Sequence, residues 1–143
     1  MPDSDTPKDP FEMAYQVDRL MRRMNAGIEA RAPLFDTERV GPIGGMILLT
    51  IAEHQPLPMQ QIAEIMARDK GQLSRTVSML ERRGMVMRTP NDRDQRSTLL
   101  RLTDKGDEVV AVIKRTLTEV LETILDPLSS SEQQQLQALL GKL

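Results

Sequence analysis

With 143 residues, 39% of them hydrophobic and 28% charged, the chain has the composition of one globular domain and not of a disordered, fibrous or membrane-embedded protein. It has no cysteine and one histidine, His54, which excludes disulfides, thiol-based sensing and a multi-histidine zinc site within one chain. The net charge of -2 hides an asymmetry: residues 68–101 hold nine basic and four acidic side chains, whereas the remainder carries a net -7. Such a stretch suits a polyanion, but it also describes a solvated charged face, so the pattern within it has to decide.

Residues 1–10, MPDSDTPKDP, read as a loose acidic tail without the basic start or apolar stretch of a signal peptide. No later run reaches transmembrane length, so a cytoplasmic protein with no membrane partner is expected. Met13, Val17, Leu20, Met21, Met24 and Ile28 then recur at helical spacing with Arg19, Arg22 and Arg23 between them. This predicts an amphipathic helix over 11–31, ended by Pro33. GPIGGMILLTIAEH follows, with Pro42 suited to a first turn and apolar residues on nearly every side. A buried helix over 42–54 fits, and a core strand fits the same run of Ile and Leu.

Pro58 with Met59, Ile62, Ile65 and Met66 predicts a short helix stopping near Arg68. A second starts almost at once, with Asp69 as N-cap, Gln72 three residues on, Leu73, Val77 and Leu80 as the inward stripe and Gly84 as the stop. Two short helices on a tight turn are a helix-turn-helix. Beyond Gly84, MVMRT and STLLRLT flank PNDRDQR, which predicts a two-stranded hairpin with a charged tip. Thr103 caps a long helix over 104–126 with Val109, Val110, Ile113, Leu117, Val120, Leu121 and Ile124 inward. Ser129 and Glu132 form a capping box for a last helix, 132–143, whose Leu136, Leu139, Leu140 and Leu143 keep helical spacing to the end. The fold class is mainly α with a small two-stranded β-wing, a winged helix-turn-helix over 42–103.

On a helical wheel, Leu73, Val77 and Leu80 turn Gly71, Arg75, Ser78 and Arg82 to the opposite face, beside Gln72. Arg can bridge guanine O6 and N7, Gln can pair with adenine and Ser can meet base or phosphate, so this face, with Lys70 and Ser74 beside it, suits a major groove. Arg93 and Arg96 on the hairpin tip then reach phosphates or a minor groove. Gln72 is equally suited to completing the cap of Asp69, and Arg82 and Arg83 near a helix end also answer the helix dipole.

The segment IAEIMARDKGQLSRTVSMLERRGMVMRTPNDRDQRSTLLRLTDKG resembles the MarR family of bacterial transcription regulators, and the likeness extends from about Phe11 to Leu143. The family's Asp-x-Arg wing motif is matched by Asp94 and Arg96, and the start of its recognition helix by Asp69 and Lys70. Gly71 and Gln72 depart from it. The resemblance implies a double-stranded DNA-binding repressor, a homodimer joined through helices like 11–31, 104–126 and 132–143, and a pseudo-palindromic operator. It also implies a small organic effector, placing Tyr15, Arg19, Arg22 and Met46 as ligand-binding candidates. Asp94 and Arg96 are also spaced to form a surface ion pair.

No nucleophile sits in a motif with a base, and there is no phosphate-binding glycine loop or metal-ligand cluster, so neither an enzyme nor a cofactor or metal is expected. The rival is a winged helix serving as a protein-protein interaction module, which calls for an acidic or apolar recognition face. The Arg75 and Arg82 face favours DNA.

Overall fold

The computed structural model describes residues 9–143. Its elements run α1 (Pro10–Phe35), α2 (Gly41–His54), β1 (Leu57–Pro58), α3 (Met59–Met66), α4 (Lys70–Arg82), β2 (Val86–Pro90), β3 (Thr98–Leu102), α5 (Asp104–Leu125) and α6 (Ser130–Leu140). The tail expected over 1–10 lies mostly outside the described residues. Its last residues are the start of α1: Asp9 accepts from the Phe11 amide through Oδ1 at 3.0 Å, and Pro10 opens the helix.

The chain divides into two compact units, the described part of Met1–Pro33 with Thr116–Leu143, and Leu34–Arg115. In the first, α1 is longer than its expected 11–31, because Pro33 stays inside the helix. It sits close to the C-terminal end, where losing one internal hydrogen bond costs little continuity. Gly27 lets α1 approach α5 closely, since a Cβ there would lie 2.6 Å from Val120 Cγ1. α6 begins with the expected capping box but stops at Leu140, so the last leucine, Leu143, is not helical.

The capping box carries a pH signature. Ser129 Oγ accepts from the Glu132 amide at 3.2 Å, and Glu132 Oε1 accepts from the Ser129 amide at 2.9 Å. The Ser129 backbone N–H first, and its hydroxyl second, hold the Glu132 carboxyl below the usual carboxylate range. A group with a depressed folded pKa adds stability above its unfolded pKa and loses it as pH falls through the folded value. Acidification is therefore expected to lower the amide protection of residues 130–133, and Glu132→Gln to remove that acid dependence.

The second unit is the winged helix. α2 resolves as a helix, and its N-terminus is served from upstream: Asp36 accepts from Val40 N through Oδ1 at 2.8 Å and from Gly41 N through Oδ2 at 3.0 Å. Ile47, Leu48 and Ile51 are fully buried among α3, α4 and β3, which explains why the sequence shows apolar residues on nearly every side. The sheet has three strands and not the expected two, ordered β1-β3-β2, all neighbours antiparallel. β1 pairs Leu57 with Leu100 and Pro58 with Leu99, extending the hairpin in which Val86 faces Leu102 and Pro90 faces Thr98. α5 starts where Thr103 Oγ1 accepts from Gly106 N at 3.1 Å.

Candidate nucleic-acid interface

α4 is positioned by one buried stripe and one cap. Leu73, Val77 and Leu80 are fully buried, against α2 and α3 among others. Asp69 Oδ1 accepts from Gln72 N at 2.9 Å. Between α3 and α4 the chain turns through Ala67 in the left-handed conformation, φ 50°, where glycine is the usual residue. The Gln72 side chain does not reach back to close a capping box, so it stays available at the surface. Lys70, Gln72, Ser74, Arg75 and Arg82 are all exposed, Arg75 and Arg82 on the side opposite the stripe. A Cβ on Gly71 would lie 3.1 Å from the capping Asp69 Oδ1, a tight contact, and at an ordinary 3.6 Å from Arg75 Nη1.

The hairpin tip is shaped by side chains bonding to its own backbone. Asn91 Oδ1 accepts from Arg93 N at 3.1 Å, Asp94 Oδ1 accepts from Arg96 N at 3.0 Å, and Asn91 Nδ2 donates to the buried Ser97 Oγ at 2.8 Å. These are successive Asx turns. The surface ion pair considered for Asp94 and Arg96 does not form: the Asp94 carboxylate holds the Arg96 amide, and both Arg93 and Arg96 project into solvent. A cavity of about 560 Å³ opens beside this turn, lined by residues of the wing from Arg88 to Thr98.

The cations of the basic segment thus divide. Among the described residues, Lys70, Arg75, Arg82, Arg93 and Arg96, and also Arg68 before α4 and Arg101 on β3, make no ion pair and donate no side-chain hydrogen bond. Arg83 and Arg88 are used internally. Arg83 Nη1 donates to the carbonyls of Glu38 and Arg39, the latter at 3.1 Å, and its own carbonyl accepts from Lys105 Nζ at 3.0 Å. Lys105 also pairs with Glu38 at 3.3 Å. Arg88 Nη2 donates to Ser78 Oγ at 3.1 Å, so half-buried Ser78 is turned toward the wing. Neither role is visible in the sequence, because each depends on a neighbour from another element. Unpaired cations on a helix face and a hairpin tip present five charges that no acidic side chain among the described residues pairs with. That arrangement suits a polyanion groove.

Residues 45–98, from α2 to the start of β3, match the sequence profile of the MarR family. Over this stretch the chain is similar to the MarR family. It is 29% identical over 93 residues to the organic hydroperoxide resistance transcriptional regulator of Bacillus subtilis (strain 168), covering 65% of this chain and 60% of that protein. The HTH-type transcriptional regulator BilQ of Clostridioides difficile (strain CD3) is 30% identical over 62% of this chain and 60% of its own length. The matched stretch therefore spans less than two thirds of these curated relatives. Among solved structures, MarR from E. coli in its apo form superposes with a TM-score of 0.72 at 21% identity, over 96% of this chain and 98% of that one. A MepR-DNA complex from S. aureus superposes with a TM-score of 0.67 at 25% identity, over 90% and 93% of the two chains. The winged-helix fold of the family is the fold of this chain.

The MarR-family effector candidates are only partly brought together. Tyr15 and Arg22 meet on α1, with the guanidinium carbon 5.7 Å from the ring centroid, and Arg22 also pairs with Asp18 at 2.9 Å. Arg19 lies on the same helix, whereas Met46 belongs to α2 of the other unit. Among the described residues no helix is long and apolar enough to cross a membrane, and no three His, Cys, Asp or Glu side chains are grouped to hold a metal ion.

Proposed function

We propose that this chain is a MarR-family, sequence-specific double-stranded DNA-binding transcription regulator of the cytoplasm, a repressor that acts as a homodimer on a pseudo-palindromic operator and is released by a small organic effector. One observation carries the reading: exposed, unpaired cations occupy the outer face of α4 and the wing tip, while the other two arginines between them are spent on internal contacts. In this reading Arg75 and Gln72 meet base edges, Ser74 and Ser78 border the groove, and Lys70, Arg82, Arg93 and Arg96 meet the sugar-phosphate backbone. The S. aureus MepR complex, a relative of the same fold bound to DNA, supports it.

Two-fold assembly is supported by apolar side chains on both terminal helices. Phe11, Met13, Tyr15, Val17 and Met21 on α1, and Leu139 and Leu140 on α6, are each more than half exposed. An apolar surface of this kind calls for a partner, and a second copy supplies the same face. The effector is proposed to act through Tyr15, Arg19, Arg22 and Met46 by changing the spacing of the two recognition helices.

The test is selection of duplexes from a random-sequence library by the purified chain, with light scattering on the same sample. The expected result is a particle near twice 16.1 kDa and an enriched two-fold-symmetric motif, its half-sites about 10 base pairs apart. A monomer, or a library returned without enrichment, overturns the reading. Capture of a protein partner through the α4 face, without DNA binding, would establish the interaction module instead.

A further inference from the structure

We propose that Arg88 is a positioning residue that braces the wing against the recognition helix, setting the angle at which α4 and the hairpin tip meet one duplex; this rests on the DNA-binding reading above. Arg88 stands on β2, paired across the hairpin with Leu100, and its side chain leaves the sheet for α4. There it finds two acceptors one helical turn apart, Ser78 Oγ at 3.1 Å from Nη2 and Glu81 Oε2 at 3.2 Å from Nε. The Nε–H is buried and not aligned on the carboxylate, so that contact is an ion pair and the hydroxyl contact is the directed bond. A planar guanidinium held at two points fixes direction as well as distance, which a lysine ammonium does not.

The surroundings make the brace worth more than an exposed pair. The Arg88 side chain is 28% exposed, against 41% for Glu81, so the charges interact through a partly desolvated path. The leverage is also large. Arg88 and Arg93 are five residues apart, at most roughly 16 Å at about 3.3 Å per residue and less where the Asx turn curls the chain, so a slip of about 10° at the brace moves the tip by up to about 3 Å. A displacement of that size removes Arg93 and Arg96 from hydrogen-bonding reach of a phosphate already engaged by α4. Arg88 itself, turned inward, touches no DNA in this scheme.

The experiment uses the full chain and a duplex obtained by selection, with wild type, Arg88→Ala, Arg88→Lys, Glu81→Ala and the Arg88→Ala/Glu81→Ala double variant, each checked by circular dichroism. Affinity is measured across a salt series, and amide exchange of residues 89–98 is followed in the DNA-free protein. Arg88→Ala is expected to bind about tenfold more weakly with a salt slope unchanged to within about half a unit, because no phosphate contact is lost. Arg88→Lys should retain the fold and charge yet lose affinity in the same direction. Glu81→Ala should also weaken binding, although removing a carboxylate from a polyanion-binding face otherwise strengthens it. The double variant should bind no more weakly than Arg88→Ala alone, and all variants should exchange faster across the wing. A salt slope lowered by about two units in Arg88→Ala would make it a phosphate contact of a two-fold dimer and overturn the proposal. So would tighter binding by Glu81→Ala, or unchanged wing exchange. If wild type retains no duplex, the DNA-binding reading falls, while the exchange measurement still reports whether the brace orders the wing.

Discussion

Arg75→Ala is expected to lower affinity for the selected duplex by roughly 5- to 150-fold per half-site and to blur preference at one or two base pairs, the loss of one bidentate guanine contact. Arg75 is exposed, has no partner among the described residues, and lies opposite the buried Leu73, Val77 and Leu80 on a helix whose cap fixes its start. Arg93→Ala provides the contrast. It is placed on an Asx-turned tip away from the helix, so its loss should weaken all sequences alike and lower the salt slope by about two units for a symmetric dimer. If Arg75→Ala loses affinity equally for selected and random duplexes, Arg75 is not a base-reading residue. If Arg93→Ala changes the preferred sequence with an unchanged slope, the wing reads shape or bases and not charge.

Gly106→Ala is expected to destabilise the winged helix by about 3 kcal/mol or more, among the largest effects of a single substitution outside the interface. A Cβ at Gly106 would lie 2.1 Å from the carbonyl oxygen of Met85 and 3.3 Å from Leu102 Cβ. The obstacle is backbone, which cannot swing aside as a side chain does. That same carbonyl accepts from Thr103 N at 3.1 Å, and Met85 is fully buried, so the strain falls where α5 is tied to the start of the hairpin. Thermal or denaturant unfolding checks this. A variant as stable as wild type would mean that α5 can shift from the Met85 carbonyl freely, contrary to the packing described.

Local signals carried most of the winged helix. The Asp69 cap, the Leu73, Val77 and Leu80 stripe, the Gly84 stop and the Ser129 capping box each act within a few residues, and each stands in the structure where the spacing predicts. What was illegible depends on distant partners. β1 is a two-residue strand beside prolines, and only Leu100 and Leu99 across the sheet make it one. Pro33 has the ordinary meaning of a stop, yet the helix continues through it to Phe35. The leucine spacing of the last helix ran on to Leu143, but Gly141 closes the helix as its C-cap.

At the interface, the exposed cations Arg75, Arg93 and Arg96 followed from helical phase and from the turn chemistry of the tip. The division of labour among the arginines did not. Arg83 and Arg88 have the composition of DNA contacts and the surroundings of structural ties, a difference set by the Glu38 and Arg39 carbonyls and by Ser78 and Glu81. Asp94 is likewise spaced for an ion pair with Arg96, whereas a carboxylate two residues before an amide in a tight turn bonds that amide first.

The measurement that bears most directly on the central claim is the binding of the wild-type chain to a mixed-sequence duplex across a salt series starting at about 50 mM, read by fluorescence anisotropy. Exposed, unneutralised cations on α4 and the wing predict binding at low salt and a linear fall of log K with log salt, with a slope of about -7 for a two-fold dimer in which four cations of each protomer meet phosphates. Absence of binding at the lowest salt, or binding that does not respond to salt, would contradict the assignment of this face to DNA.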